Sequence, residues 1–224
     1  MPEETDLADL ESRLLGWPGK ARVLVAIAGA PGAGKSTVAR ALVERLNAAR
    51  AGLAALLEMD GYHYDDRVLG ALGRQARKGA SDTFDVGGLR HMLTRLRDPR
   101  EGAVAVPVFD REIEIARAGA ALISPGVRFI IVEGNYLLLD SPPWADLAAM
   151  FDLRVMVTAS PETLRARLVK RWRDLGYDPD EIRAKVENND LPNGQLIAEG
   201  SVSPELLFPN DEDVADLTSG RMGS

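Results

Sequence analysis

The sequence predicts an α/β protein whose parallel sheet is covered by helices on both faces. Three observations carry this. Short, nearly continuous apolar runs at 22–29, 53–58, 128–134 and 153–159 suit strands buried on both faces. The first run leads directly into a glycine-rich turn and then into a stretch with apolar residues every four positions. Strands and helices then alternate, which is the order that parallel crossovers require.

Taken in chain order, Leu7, Leu10, Leu14 and Leu15 line one face of a short helix capped by Thr5 or Asp6 and ended by Gly16-Trp17-Pro18-Gly19. Residues 1–20 thus form a helix and linker packed on the edge of a main domain at 21–209. Within that domain the strand RVLVAIAG is followed by KSTVARALVERLNAA, where Val38, Leu42 and Leu46 mark a helix. Strands follow at 53–58, at RFIIVEG (128–134) and at LRVMVTA (153–159), after which Ser160 and Pro161 open a helix as cap and first-turn proline. Two irregular regions, 61–88 and 174–194, read as candidate substrate loops, the first an acceptor-site insert and the second part of a lid region at 161–194. The segment 210–224 is acidic and rich in small residues and is expected to be a flexible tail.

Composition narrows the function. The chain has 224 residues, 46% hydrophobic and 27% charged, with a net charge of −7. That balance fits one folded domain with modest extensions. It argues against a general nucleic-acid or anionic-membrane surface. With no cysteine, disulfide and thiolate chemistry are excluded, and two distant histidines, His63 and His91, speak against structural zinc. No apolar run approaches the ~18–20 residues of a membrane span, and the acidic start MPEETDLADL does not resemble a secretory leader. A cytoplasmic location is expected, and a homodimer is compatible with the sequence.

The motif with the strongest chemistry is GAPGAGKST, covering Gly29, Ala30, Pro31, Gly32, Ala33, Gly34, Lys35, Ser36 and Thr37. It fits G-x-x-x-x-G-K-[ST] between an apolar strand and an amphipathic helix. Glycines let successive backbone N–H groups turn inward around an anion, and the following helix points its positive end at the same place. Lys35 is placed for the β- and γ-phosphates and Ser36 for Mg²⁺, so ATP and Mg²⁺ are the expected ligands. A tight βα turn without ligand is the plain alternative, and it leaves Lys35 and Ser36 without a reason.

Two acids belong with this loop. Glu133 ends FIIVEG at the carboxyl edge of the sheet, where an acid organises Mg²⁺. Asp60, after the second strand in LLEMDGYHY, emerges at the same edge and can take a proton from an attacking alcohol. Tyr62 and His63 come next as candidate pocket walls. In LRARLVKRWRD, Leu164, Leu168 and Trp172 form a buried stripe, flanked by Arg167 and Arg171. An arginine there can offset transition-state charge. Arg171 is the candidate for that role and Arg167 for nucleotide binding, with a solvated basic face as the plain alternative.

These segments together, with RKGASDTFDVGGL, VPVFDR, IIVEGNYLLL and NDLPNG, resemble the uridine kinase, phosphoribulokinase and pantothenate kinase group of P-loop kinases from about Arg22 to Phe208. The branch most resembled is that of bacterial nucleoside/nucleotide-kinase-like proteins, several of them named as fructose transport system kinases. The resemblance implies a P-loop NTPase three-layer α/β/α sandwich with strand order 2-3-1-4-5, a helical lid, and ATP-dependent phosphorylation of a small-molecule hydroxyl. It implies Asp60 as base and an acceptor pocket shaped by Phe84, Asp85 and Arg111, with Tyr136 beside it. The expected partners are therefore ATP and a small hydroxyl-bearing metabolite such as a sugar or nucleoside. The rival reading is a regulatory P-loop ATPase that switches on a protein partner; it would need no acceptor pocket.

Overall fold

The computed structural model describes residues 1–98 and 100–212. Its centre is β2 (Val23–Gly29), every residue of which is buried. On one side β2 pairs with β6 (Phe129–Glu133), and β6 pairs with β3 (Ala54–Glu58). On the other side lie β7 (Leu153–Thr158) and then β8 (Leu206–Pro209). All these pairs are parallel. The order β3-β6-β2-β7-β8 is the five-strand order expected, but the sheet carries a sixth strand that was not. Residues Glu3–Glu4 form β1, parallel to β8 on the far edge. The N-terminal segment thus adds a two-residue strand to the main sheet ahead of the expected helix at Leu7–Leu15.

Strand alternation sorts the core into two layers. Leu24, Ala26, Ala28, Ile130 and Val132 face one side, packed with α4 (Val86–Arg97) and the aromatic residues Tyr136 and Trp144. Val23, Val25, Ile27, Phe129 and Ile131 face the other, packed with α1 (Leu7–Leu15) and α2 (Lys35–Ala49). Asp6 caps α1 by accepting from the Asp9 amide. Leu7, Leu10 and Leu14 are buried as expected, but Leu15 is 44% exposed, because it falls one position beyond the stripe.

Three features aim side chains at the sheet's carboxyl edge. A one-turn helix, Met59–Tyr62, follows β3, and α3 (Asp66–Ala71) follows it. A two-stranded antiparallel ribbon, β4 (Val104–Asp110) and β5 (Ile115–Ile123), stands apart from the main sheet. Gly61 lets this ribbon approach: a β-carbon there would lie 2.8 Å from the Pro107 carbonyl oxygen. The lid is built from α5 (Pro161–Asp174), α6 (Pro179–Lys185), a π turn at Val186–Asp190 and α7 (Leu191–Gly200). Ser160 caps α5 through the Thr163 amide, as its sequence suggests.

The tail starts later than expected. Asn210 is buried, its amide donates to the Thr158 carbonyl, and its side chain donates to the Ala33 carbonyl at 2.7 Å. Asp211 accepts from the Ser160 amide. Residues 210–212 are thus tied to the sheet edge by hydrogen bonds that composition does not reveal; residues 213–224 lie outside those described.

Candidate active site

Because all six strands are parallel, their carboxyl ends share one edge, and a cavity of about 660 Å³ opens there. Its floor is the loop after β2. Gly34 is the N-cap of α2 with φ +87°, a conformation that favours glycine, and a β-carbon there would lie 2.2 Å from the Asn210 side-chain nitrogen. Pro31, Gly32, Gly34, Lys35, Ser36 and Thr37 line the cavity. Gly29, Ala30 and Ala33 do not; they form the back of the loop, where Ala33 is buried in the core and its amide donates to the Ala30 carbonyl.

Glu133 ends β6 beside Ile27 of β2 and opposite Glu58 of β3. Its Oε1 lies 3.7 Å from Lys35 Nζ. Burial raises its pKa first of all, and the neighbouring charges of Asp60 and Glu58 add to this; Lys35 and a hydrogen bond from the Ser36 hydroxyl oppose it. A serine hydroxyl and a carboxylate side by side are the oxygen donors that Mg²⁺ takes alongside phosphate oxygens and water, so these residues fit that ion.

Asp60 sits in the turn after β3. Its Oδ2 accepts from Arg111 at 2.8 Å, the ribbon having brought Arg111 across. Burial alone would raise the Asp60 pKa, but His63, Arg111 and Lys35 outweigh it and the carboxyl is held below its usual range. Burial is the main cause that drives the His63 imidazole below its usual range. His63 Nδ1 lies 2.9 Å from the Asp60 carbonyl oxygen, which can only accept, so Nδ1 carries the proton. The His63 ring packs on Phe84 at 4.0 Å and on Phe109 at 4.9 Å between centroids.

Of the other expected acceptor residues, Phe84 and Arg111 line the cavity. Tyr62, Asp85 and Tyr136 do not. Tyr62 is buried in the core, where its hydroxyl has no hydrogen-bond partner among the described residues. Asp85 caps α4 by accepting from the Gly88 amide. Tyr136 is fully buried against Phe84 and Trp144, and its hydroxyl donates to the Gly79 carbonyl at 2.8 Å. It supports the cavity wall from behind, since a ring-bearing polar residue suits a core as well as a pocket when its hydroxyl finds a carbonyl.

Four cations of α5 divide into two pairs. Arg165 pairs with Glu187 and Lys170 with Asp174, both on exposed faces. Arg167 and Arg171 reach the cavity. Arg167 donates to the Asn210 carbonyl at 2.8 Å and to those of Asp211 and Glu212. Arg171 lies over the Trp172 ring, 5.1 Å from its centroid. Trp172 Nε1 donates to Asp190 Oδ2 at 2.6 Å, and Lys185 Nζ lies 4.5 Å from the centroids of both Trp172 and Tyr177. Burial is the main cause that pushes the Asp190 carboxyl up.

Sequence reasoning missed several cavity residues. Asn135 directly follows Glu133-Gly134, so its position was signalled by topology; its Oδ1 is buried with no hydrogen-bond partner among the described residues. Lys78, Phe109 and Lys185 had no such signal, because they reach the site only through the segment between α3 and α4, the ribbon and the lid.

The model of the "Phosphoribulokinase / Uridine kinase family" matches residues 24–195. The chain is similar to a "putative uridine kinase" of Schizosaccharomyces pombe, 30% identical over 195 residues that cover 84% of this chain and 83% of that one. It is also similar to a pantothenate kinase of Enterococcus faecalis, 28% identical over 152 residues, covering 66% of this chain and 47% of that one. Among solved structures it resembles a "putative fructose transport system kinase" from Silicibacter sp. TM1040, with a TM-score of 0.84 and 40% identity, covering 92% of this chain and 100% of that one.

Proposed function

Since the chain belongs to the phosphoribulokinase/uridine kinase family, and so to enzymes that phosphorylate small-molecule hydroxyls, we propose that it moves the γ-phosphoryl group of ATP onto a sugar, nucleoside or related metabolite, with Asp60 as the base. The observation that carries this reading is the common cavity of Lys35, Ser36, Glu133 and Asp60, with an ionised carboxyl at the outer end of an anion-binding loop.

In this reading the loop amides and Lys35 hold the phosphates, and Arg167 secures the nucleotide. The acceptor hydroxyl gives its proton to Asp60 as its oxygen bonds to the γ-phosphorus; the bond to the bridging oxygen breaks and ADP leaves with the electron pair. Arg111 keeps Asp60 ionised and oriented, while His63 and Phe84 wall the acceptor. Arg171 offsets charge on the group in flight. Ser36 and Glu133 would hold Mg²⁺, which when bound neutralises phosphate charge.

Asp60→Asn is the test. Affinity for an ATP analogue is expected to persist while kcat falls about 10²-fold or more, the usual scale for loss of a general base. Loss of nucleotide affinity with kcat retained at saturation would assign Asp60 to the nucleotide instead. Phosphoryl transfer to a hydroxyl compound, followed with labelled ATP, separates the kinase from a partner-driven ATPase.

A further inference from the structure

We infer that the acceptor is an uncharged polyhydroxylated compound of monosaccharide size, and that Asp66 and Glu114 help exclude its anionic counterparts. The inference deepens the kinase reading of this cavity and rests on it.

The cations at the acceptor end are already matched. Arg111 Nη2 donates to Asp60. Lys78 Nζ donates to Asp66 Oδ1 at 2.8 Å and to the Glu114 carbonyl oxygen at 2.7 Å, and Glu114 Oε2 lies 3.9 Å away. Both cations flank the Phe109 ring, Lys78 at 5.6 Å and Arg111 at 5.8 Å from its centroid. Around this ring two cations face three carboxylates, Asp60, Asp66 and Glu114. A substrate carboxylate or phosphate could recruit Lys78 or Arg111 only by breaking a pair, and it would then sit among like charges.

At the lid the arrangement differs. Arg171 and Lys185 rest on aromatic faces, and the carboxylate that both attract, Asp190, is itself held by Trp172 Nε1, so two cations stand there against one carboxylate. The cavity therefore carries positive charge suited to phosphates on the lid side and matched charge at the acceptor end.

The polar groups at the acceptor end ask for hydroxyls. Asn135 Oδ1 is buried with no hydrogen-bond partner among the described residues and needs a donor, which a hydroxyl supplies and an ionised carboxylate or phosphate does not. Asn189 and Asn193 line the same cavity, joined by a 3.2 Å hydrogen bond, and Asn189 Nδ2 reaches the Lys78 carbonyl at 3.4 Å. Side-chain amides offer both donors and acceptors, as a polyol does. The rings of His63, Phe84 and Phe109 give an apolar wall for its C–H face. Size follows from sharing: one cavity of about 660 Å³ must take the nucleotide's phosphates as well as the acceptor.

The test is a thermal-shift titration of the full chain with Mg²⁺ and a non-hydrolysable ATP analogue. The probes are neutral monosaccharides and polyols, their phosphate esters, the corresponding sugar acids, and amino sugars. A neutral compound is expected to raise Tm at concentrations where its charged counterparts do not. In Asp66→Asn/Glu114→Gln, the preference for the neutral compound over its phosphate or acid is expected to fall about tenfold or more. Those side chains are 46% and 58% exposed, so the variant should fold. Stronger binding of an ester, an acid or an amino sugar, no binding by any neutral compound, or an unchanged preference in the variant would each overturn the inference. Labelled ATP separates the two layers: a neutral compound that binds yet gains no phosphoryl group ends the kinase reading and leaves the acceptor's charge as inferred.

Discussion

Asp60 works between opposed influences. Burial favours its neutral form, and the charges around it more than reverse that. Arg111 is the partner in direct contact, so removing it should let burial reassert itself. Arg111→Gln is expected to raise the Asp60 pKa, and the acidic limb of the kcat/KM profile should move to higher pH; an unmoved limb would show that Arg111 does not set the base. Lys35, Ser36, Asp60 and Glu133 were legible because each stands at a fixed distance from a strand end, and parallel topology sends all strand ends to one place. Tyr62 and Tyr136 were not. Their composition says "amphipathic ring", and only the packing decides that the Tyr136 hydroxyl goes to Gly79 rather than to a ligand.

At the scale of elements, the anion loop depends on one backbone conformation at the start of α2. Gly34→Ala would put a β-carbon where φ is +87° and against the Asn210 side chain. Strain of this kind costs about 1–3 kcal/mol, so nucleotide affinity, read by titration with an ATP analogue, should weaken about tenfold or more. Retained affinity would mean that the loop relaxes freely. The strands and helices of the sheet were readable from apolar runs and four-residue spacing. The ribbon was not, since β4 holds Pro107 and β5 is IARAGAALI, small and mostly exposed, with no buried face to impose alternation. Nor was the π turn at 186–190, which brings Asn189 and Asp190 to the cavity and which periodicity does not encode.

Across the whole molecule, a few polar groups brace the sheet's amino end. Buried Arg22 donates to the carbonyls of Val127, Leu96 and Ser124, so each of its three guanidinium nitrogens has a hydrogen-bond partner. Asp152 accepts from the Leu24 amide at 2.9 Å and from Lys20 at 2.5 Å, with Arg97 at 3.4 Å. Burial works against its ionised form, but these partners prevail and its pKa is lowered. A depressed folded pKa stabilises above the unfolded value and ceases to do so as pH falls through the folded one. Asp152→Asn should therefore lower Tm at pH 7, with the gap to the native protein closing below about pH 4; a gap constant across that range would deny the carboxylate this role. A last consequence belongs to Asn210, whose amide group braces the Ala33 carbonyl from across the molecule. Shortening the polypeptide to end at Pro209 would spare every strand of the sheet but remove this brace together with the Asn210–Thr158 and Asp211–Ser160 hydrogen bonds, giving a protein that melts lower and has lost much of its hold on ATP.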